Sequence, residues 1–348
     1  ELHRIGLRVG LDKVYNHTTA AGQSARSVLD RIVPGYYQRL NAAGEVERST
    51  CCDNTATEHR MMAKLMSDSL LHWSREYKLD SYRFDLMGHQ PRAAMLAMRE
   101  RLRRELGREI LFIGEGWNFG EVAHGARFVQ ASQLSLQGDG IGTFSDRGRD
   151  AARGGSFGSA RELMTSKGWL NGLLDDPARR GEALKASDLL RLQLAGTLAE
   201  FRFTTHDGRT IRGAEIDYAG QPAGYAGQPG EAVHYVENHD NHTLYDANVL
   251  KLPPGASMAE RIQRQTLGHA LVAWSQGTVY IHAGQEVLRS KSLDRNSYDS
   301  GDGFNRLDFS LRDNGFGHGL PPQPDNGKDW DTLAPLLGRP ALRPTPAQ

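Results

Sequence analysis

The feature that most constrains the fold of this 348-residue chain is a strand–helix–strand segment in residues 81–116. A strand pattern over 81–86 is followed by Pro91, which suits the first turn of a helix, and the helical pattern that follows ends at Gly107. The next strand pattern, 110–113, is a continuous apolar run of the kind that is buried on both faces of a parallel sheet. Two strands joined in this way by a helix predict an α/β fold.

Each of these two strands ends in a carboxylate, Asp85 in the first and Glu115, 30 residues later, in the second. The C-terminal ends of adjacent parallel strands meet at one rim of a sheet, where α/β barrels build their active sites. Period-2 alternation also predicts Tyr82, Phe84 and Leu86 on one strand face and Arg83, Asp85 and Met87 on the other, where Arg83 would hold the Asp85 carboxylate ionised. On that strand alone, a structural ion pair explains Arg83 and Asp85 equally well. Together, the two carboxylates suit glycoside hydrolysis, which needs an ionised nucleophile and a neutral acid.

Charge and hydropathy exclude several classes of protein. Lys+Arg and Asp+Glu both number 42, so no basic field suggests nucleic acid, and a neutral, sugar-like partner fits better. No apolar run approaches the length of a membrane span, and no segment resembles a signal peptide. Because Glu1 is not a natural start, the compartment stays open, with a secreted, periplasmic or cell-surface location favoured over the cytoplasm.

The only two cysteines, Cys51 and Cys52, are adjacent in a polar loop, which excludes a disulfide scaffold. Metal binding needs further soft ligands, and His59 alone does not make a site. The pattern therefore favours a surface loop without a metal, and a vicinal disulfide between the two cysteines stays an open alternative.

Two further polar clusters follow strand patterns. Asn16 and His17 come after a strand over 7–11, and taken alone they are more typical of a turn than of a ligand site. The densest polar cluster, 237–242, makes a metal site a fair first interpretation. However, His239 and Asp240 can both face one cavity only from a strand end that opens into a loop, so hydrogen bonding is favoured over metal ligation.

The rest of the chain carries weaker signals. Helical spacing of apolar residues predicts three further helices, over 58–77 with a methionine stripe that belongs to the core, around 189–194, and over 259–275. A strand is predicted over 278–283. Residues 19–56 predict a long loop, and 118–232 predict one strand near 141–146 with irregular flanks.

Four motifs in chain order resemble the conserved regions of the α-amylase superfamily (glycoside hydrolase family 13) and, within it, the type I pullulanases and limit dextrinases. They are the segments 12–17, 83–87, 114–117 and 236–242. The resemblance to pullulanases also rests on 142–146, 235–240 and 289–292, and it extends from Leu2 to about Leu337.

This resemblance implies a (β/α)8 TIM-type barrel that is partial, with about strands three to eight, and truncated at both ends. Residues 1–337 are then expected to form a catalytic barrel fragment with long inserted loops. Residues 338–348 are expected to be a linker towards a missing C-terminal β-domain of the same polypeptide, and upstream domains are expected to be missing as well.

The resemblance also implies residue roles. Asp85 matches the nucleophile, Glu115 the acid/base and Asp240 the stabiliser of the reacting sugar, and Glu115 is expected to lie in a drier pocket than Asp85. The expected substrate-binding residues are Asn16, His17, Arg83, Trp117, His239, Asp294, Arg295, Tyr298, Asp302 and Asn305. The chemistry requires no metal or other cofactor, although relatives often carry structural calcium.

The function that follows is retaining hydrolysis of α-1,6-glucosidic branch linkages in pullulan, limit dextrin, or branched starch- and glycogen-type glucans. Two alternatives stay open. One is an α-1,4-acting hydrolase or transglycosylase of the same superfamily, and the other is a non-catalytic glucan-binding fragment.

Overall fold

A computed structural model describes residues 1–348 and shows an α/β protein with two compact units. The first unit contains residues 1–144 and 226–231, and the second contains 145–225 and 232–348. Four strands within the first unit pair in parallel, and so do two strands within the second unit. This confirms the predicted α/β fold with a parallel sheet. None of the helices combines the length and apolar character needed to span a membrane.

The first unit has six strands and three helices. The strands are β1 (Gly10–Lys13), β2 (His17–Thr18), β3 (Asp53–Asn54), β4 (Ser81–Phe84), β5 (Leu111–Gly114) and β6 (Gly142–Phe144), and the helices are α1 (Leu29–Ile32), α2 (Arg60–Glu76) and α3 (Arg92–Leu106). Strands β1, β4, β5 and β6 lie side by side in that order, and β2 pairs with β3 in a separate antiparallel ribbon. Residues 19–56 are mostly loop, as predicted, but they contain α1 and β3, and β3 pairs with β2 just before this segment.

The core of the first unit follows the predicted alternation. Tyr82 and Phe84 of β4 are fully buried, and the Phe84 ring lies 4.8 Å from the Phe112 ring, centroid to centroid. Met62 and Met66 of α2 are buried in the same cluster, as predicted for the methionine stripe, whereas Met61 is 44% exposed. The prediction that strand 110–113 is buried on both faces is wrong in this structure, because Leu111 is 48% exposed and Ile113, on the same face, is only partly buried.

Two local predictions in the first unit also need correction. The first strand begins at Gly10 rather than Leu7. Met87 was predicted to share a face with Arg83, but the chain leaves the strand at Leu86, whose φ is 39°, and Met87 is buried in the core. A left-handed residue reverses the side-chain alternation that a regular strand would continue.

The second unit contains eight helices and six strands. The helices are α4 (Asp146–Arg153), α5 (Ala160–Thr165), α6 (Arg180–Leu194), α7 (Leu244–Lys251), α8 (Met258–Ala273), α9 (Asp302–Asn305), α10 (Gln323–Asn326) and α11 (Trp330–Leu337). The strands are β7 (Arg202–Thr204), β8 (Thr210–Arg212), β9 (Asp217–Tyr218), β10 (Gln221–Pro222), β11 (Ala232–His234) and β12 (Thr278–Val279). Strands β7 and β8, and β9 and β10, form antiparallel pairs, and β11 pairs with β12 in parallel.

The sequence predictions for the second unit are confirmed for α6 and α8, whereas the strand predicted over 278–283 ends at Val279. Helix α4 forms where irregular structure was predicted. Its sequence has few apolar residues because arginines occupy the inner face: Arg153 donates to Val236 O at 2.9 Å and Arg149 donates to Tyr235 Oη at 2.7 Å. Buried guanidinium groups leave no apolar stripe for a periodicity argument to detect.

The buried histidine of β11 predicts a pH-dependent stability. Burial lowers the pKa of His234 to about 4, while its Nε2 is bonded to Gln276 O at 2.9 Å. His234 is protonated near pH 6.5 in the unfolded chain but only near pH 4 in the folded chain. The contribution of the neutral His234 to the free energy of unfolding is therefore fully present above about pH 6.5 and is lost as the pH falls towards 4. At about 1.4 kcal/mol per pH unit, His234 would account for up to about 3 kcal/mol.

The check is to compare the free energy of unfolding at pH 7 and pH 4.5 for His234→Gln and for the exposed-histidine control His72→Gln. We expect His234→Gln to be less sensitive to acid than the unaltered chain and His72→Gln to match it. Equal slopes in all three proteins would contradict a neutral, buried His234.

Candidate active site

The two predicted carboxylates lie at the same edge of the first unit's sheet. Asp85 and Glu115 each follow directly after a strand, β4 and β5 respectively. The backbone N–H of Asp85 donates to Lys13 O at 3.0 Å, and that of Glu115 donates to Phe84 O at 3.1 Å. The parallel hydrogen-bond ladder therefore continues one residue beyond each strand. It fixes the backbones of Asp85 and Glu115 at the C-terminal rim of the sheet.

Arg83 connects these carboxylates. Its Nη1 donates to Asp85 Oδ1 at 3.1 Å and to Asp12 Oδ1 at 2.9 Å, and its Nη2 lies 3.0 Å from Glu115 Oε1. Burial opposes the charge on this guanidinium, but Glu115 and Asp12 outweigh burial and raise the pKa of Arg83 above its ordinary value. One permanent cation therefore faces three carboxylates. This arrangement is compatible with a structural ion network and also with a catalytic pair formed by Asp85 and Glu115.

Asp12 is a partner that the sequence analysis did not single out. It faces Arg83 because β1 and β4 pair with Asp12 opposite Arg83. The sequence placed Asp12 near a strand end, but its distance of 71 residues from Arg83 concealed the register. Only the pairing of the two strands reveals that they share an ion pair.

Glu115 is the more enclosed of the two carboxylates. Its side chain is 10% exposed and that of Asp85 is 22% exposed, which agrees in direction with the expected drier pocket. Glu115 Oε2 accepts a hydrogen bond from the backbone N–H of Leu86 at 2.8 Å. The left-handed turn at Leu86 thus both ends β4 and aims an amide at the second carboxylate.

The loop after β4 packs tightly against the loop after β5. A Cβ at Gly88 would lie 2.0 Å from Trp117 O, so only glycine allows the two backbones to approach this closely. Gln130 also donates to Trp117 O, at 3.0 Å. The backbone of Trp117 is therefore held in place by the loop after β4, and Trp117 stays partly exposed in the loop after β5.

Asn16 and His17 reach the same rim. In the amide orientation that satisfies all partners, Asn16 Nδ2 donates to Asp85 Oδ2 at 3.2 Å and its side-chain oxygen accepts from His17 Nδ1 at 2.8 Å. Burial lowers the pKa of His17, and the nearby charge of Asp85 only partly offsets this effect, so the imidazole is neutral near pH 7. The structure thus brings together five predicted site residues: Asn16, His17, Arg83, Asp85 and Glu115.

The adjacent cysteines lie beside His17. Cys51 and Cys52 form a vicinal disulfide, and Cys51 Sγ lies 3.6 Å from His17 Nε2. His59, the other histidine near the cysteines in sequence, has its Nδ1 bonded instead to Tyr36 O at 2.6 Å. Pairing of β2 with β3 brings His17 to the cysteines across a separation of 34 residues, which no local spacing predicts.

A buried ion network supports this part of the first unit and was also missed. Arg39 is 1% exposed, and it donates to Glu121 Oε1 at 2.8 Å and to His89 O at 2.9 Å. Although burial opposes ionisation, hydrogen bonds from Arg39 and Ser49 lower the pKa of Glu121 to about 2. These residues lie in segments without periodic signals, so the sequence offered no reason to connect them.

In the second unit, His239 and Asp240 lie in a loop beyond β11, as the hydrogen-bonding interpretation required. His239 Nε2 is 3.7 Å from Asp240 Oδ2, and both side chains are 48% exposed. The preceding Glu237 is buried and anchors the loop through His282 Nδ1 at 2.8 Å and the backbone N–H of Leu244. The Lys291 ammonium donates to His239 O, which gives the loop a further attachment.

The other predicted substrate-binding residues of the second unit differ in accessibility. Asp294 is fully buried and accepts from Asn326 Nδ2 at 3.0 Å, and Arg295 Nη1 donates to Gly158 O at 2.8 Å. Asn305 Nδ2 donates to Ser297 O at 2.7 Å. Tyr298, 84% exposed, and Asp302, also exposed, present their side chains to solvent. Substrate contact by these five residues stays a prediction.

Comparison with known proteins gives consistent matches. Residues 311–348 match the family model described as alpha-1,6-glucosidases, pullulanase-type, C-terminal. A pullulanase from Klebsiella aerogenes is 48% identical over 343 residues, which are 95% of this chain and 30% of that protein. Chloroplastic pullulanase 1 from Arabidopsis thaliana is 44% identical, over 99% of this chain and 37% of that protein.

Solved structures of pullulanases also match this chain. The Klebsiella pneumoniae pullulanase complexed with maltotriose superposes with a TM-score of 0.93 at 45% identity, over 99% of this chain and 33% of that one. The chain thus spans about a third of the length of the curated relatives it matches.

Proposed function

Because this chain belongs to the pullulanase family, we propose that it hydrolyses α-1,6-glucosidic branch linkages in pullulan, limit dextrin or branched starch- and glycogen-type glucans. The observation that carries the proposal is the pair Asp85 and Glu115 at neighbouring strand ends, joined through Arg83. The maltotriose bound to the Klebsiella pneumoniae relative supports an α-glucan as the ligand class.

The proposed reaction is retaining. Asp85 attacks the anomeric carbon while Glu115, protonated at the start, gives its proton to the departing glycosidic oxygen. Glu115 then removes a proton from water, which attacks the glycosyl-enzyme and releases Asp85. The contacts from Arg83 Nη1 and Asn16 Nδ2 to Asp85 support the first role, since they hold the carboxylate in a fixed position.

The residues proposed to contact the sugar come from both units. A neutral His17 has an imidazole that can hydrogen-bond a sugar hydroxyl, and Trp117 offers a flat apolar face for a glucose ring. In the second unit, His239 and the stabiliser Asp240 are proposed to hold the reacting ring, and their exposure supports access by a ligand. Tyr298 and Asp302 are proposed for outer glucose units on the same ground.

The proposed architecture extends the parallel strands described above. We propose that they belong to a (β/α)8 barrel, as about its third to eighth strands, with residues 1–337 catalytic and 338–348 leading to a C-terminal β-domain. Upstream and C-terminal domains of the same polypeptide are the proposed partners. No metal takes part in the proposed reaction, and structural calcium is left to metal analysis of the purified protein.

The test is to incubate the purified protein with pullulan and follow new reducing ends and product size. Release of maltotriose is expected, because cleavage of every α-1,6 linkage in pullulan leaves three-glucose units. Products from amylose but not from pullulan would favour the α-1,4-acting alternative. Binding of pullulan by a folded protein that releases no product from either glucan would favour the non-catalytic alternative.

A further inference from the structure

A compact group of soft ligands lies at the ribbon formed by β2 and β3. The Sγ atoms of Cys51 and Cys52 and one ring nitrogen of His17 all lie within 4.8 Å of one another. The cysteines directly precede β3, and His17 opens β2, opposite Asn54. The antiparallel pairing, rather than chance proximity of mobile loops, therefore brings the three ligands together.

The imidazole is oriented as a metal ligand requires. His17 Nδ1 is bonded to the side-chain oxygen of Asn16 at 2.8 Å, which places the ring proton on Nδ1. The lone pair of Nε2 then faces Cys51 Sγ. Histidines that bind metals usually donate their other ring N–H in this way, because the second hydrogen bond fixes both the tautomer and the ring plane.

The distance between the Cys51 sulfur and the His17 nitrogen fits a thiophilic cation. With metal–sulfur and metal–nitrogen bonds of about 2.3 and 2.05 Å and tetrahedral angles, a zinc ion holds its sulfur and nitrogen ligands about 3.6 Å apart. Cys51 Sγ and His17 Nε2 are 3.6 Å apart. Two sulfurs and one nitrogen would leave the fourth position to water, as three-ligand zinc sites do.

We propose that His17, Cys51 and Cys52 form a redox-gated site for a thiophilic divalent cation of the zinc or cadmium type. In the disulfide form, both sulfurs are bonded to each other and the site is closed. A dithiol reductant opens it by exchange: the Cys51–Cys52 bond breaks, two thiols form, and the reductant becomes a disulfide. The cation then displaces two thiol protons, binding two thiolates and the neutral imidazole.

Opening the site is compatible with the fold. The disulfide joins adjacent residues, so its reduction frees no long loop and removes little constraint from the unfolded chain. Backbone hydrogen bonds that do not involve the cysteines hold the ribbon, including Thr55 N to Asn16 O at 3.0 Å and Asn54 N to Glu47 O at 2.9 Å. Cys51 is exposed, which gives the reductant and the cation a route to the sulfur.

Occupation of the site has a consequence that rests on the proposed function. A cation on His17 Nε2 removes the nitrogen with which His17 would hydrogen-bond a sugar. Zinc is therefore expected to inhibit pullulan cleavage by the reduced protein and to leave the oxidised protein active. Binding of the cation itself does not depend on catalysis, so it can be measured whether or not the proposed reaction is right.

The experiment titrates Zn²⁺ into the protein against a chromophoric chelator, before and after reduction with a phosphine that is then removed. We expect one tightly bound Zn²⁺ per reduced chain and none per oxidised chain at the same chelator concentration. Cd²⁺ should give a thiolate-to-metal absorption band only in the reduced form. Equal binding in the two redox states would overturn the proposal.

Variants then assign the ligands. The double variant Cys51→Ser and Cys52→Ser should abolish the cadmium band, and His17→Gln should weaken Zn²⁺ binding at least about tenfold while keeping that band. The exposed-histidine control His72→Gln should bind like the unaltered protein. Unchanged affinity in His17→Gln would exclude the imidazole, and unchanged affinity in the serine variant would place the cation elsewhere. Circular dichroism of each variant confirms that the fold is intact.

Discussion

Replacing Asp85 with asparagine is expected to lower the rate of pullulan cleavage at least about a thousandfold, as losses of catalytic nucleophiles do. The amide has the size of the carboxylate but cannot form the glycosyl-enzyme, so the first chemical step is removed. Pullulan binding, measured by affinity electrophoresis, should persist, because the sugar contacts proposed for His17 and Trp117 stay in place. Lost cleavage together with retained binding distinguishes removal of the nucleophile from damage to the sugar-binding residues.

Asp12→Asn is the matched control for that variant. Asp12 and Asp85 both accept hydrogen bonds from Arg83 Nη1, at 2.9 and 3.1 Å, but only Asp85 is proposed to react. If Asp85 serves as a nucleophile, Asp12→Asn should lose much less activity than Asp85→Asn. Similar losses in the two variants would indicate that the carboxylates act together as structural partners of Arg83, and the nucleophile assignment would fail.

Glu115→Gln is expected to lower pullulan cleavage by about a hundredfold to ten-thousandfold, the usual contribution of general acid–base catalysis. The loss should be much smaller for the formation of glycosyl-enzyme from an α-maltotriosyl fluoride, because fluoride leaves without a proton. Added azide should restore turnover of this substrate, since azide attacks the glycosyl-enzyme without needing a base. Two successive inversions would yield the α-glycosyl azide.

Asp85→Ala provides the stereochemical control. With the carboxylate removed, azide can only take its place as the attacking group, and a single inversion gives the β-glycosyl azide. Nuclear magnetic resonance of the anomeric proton distinguishes the two products. Equal loss of Glu115→Gln activity on pullulan and on the fluoride would contradict a proton-donating role for Glu115.

The side-chain directions along β4 could be predicted from the sequence. Alternation along 81–85 correctly separated the apolar core residues Tyr82 and Phe84 from Arg83 and Asp85, because successive side chains of a strand point to opposite faces. The position of Glu115 followed from the same reasoning, since the strand–helix–strand unit places both strand ends at one rim. The amphipathic helix α2 was equally clear from its spacing.

Local spacing failed where the chain departs from regular geometry or where polar groups fill the interior. The left-handed Leu86 turned Met87 into the core and supplied an amide to Glu115. Helix α4 escaped detection because buried arginines replace its apolar stripe. Both cases depend on partners distant in sequence, which periodicity does not report.

The sequence by itself therefore determined the α/β class, the strand ends that carry Asp85 and Glu115, and the motifs that match the pullulanase family. Only the tertiary structure decided that Asp12 shares Arg83 with both carboxylates and that His17, rather than His59, lies beside the cysteines. The physical reason is strand register. Repeating patterns along a chain specify which face a side chain takes, but pairing between distant strands specifies which side chains meet.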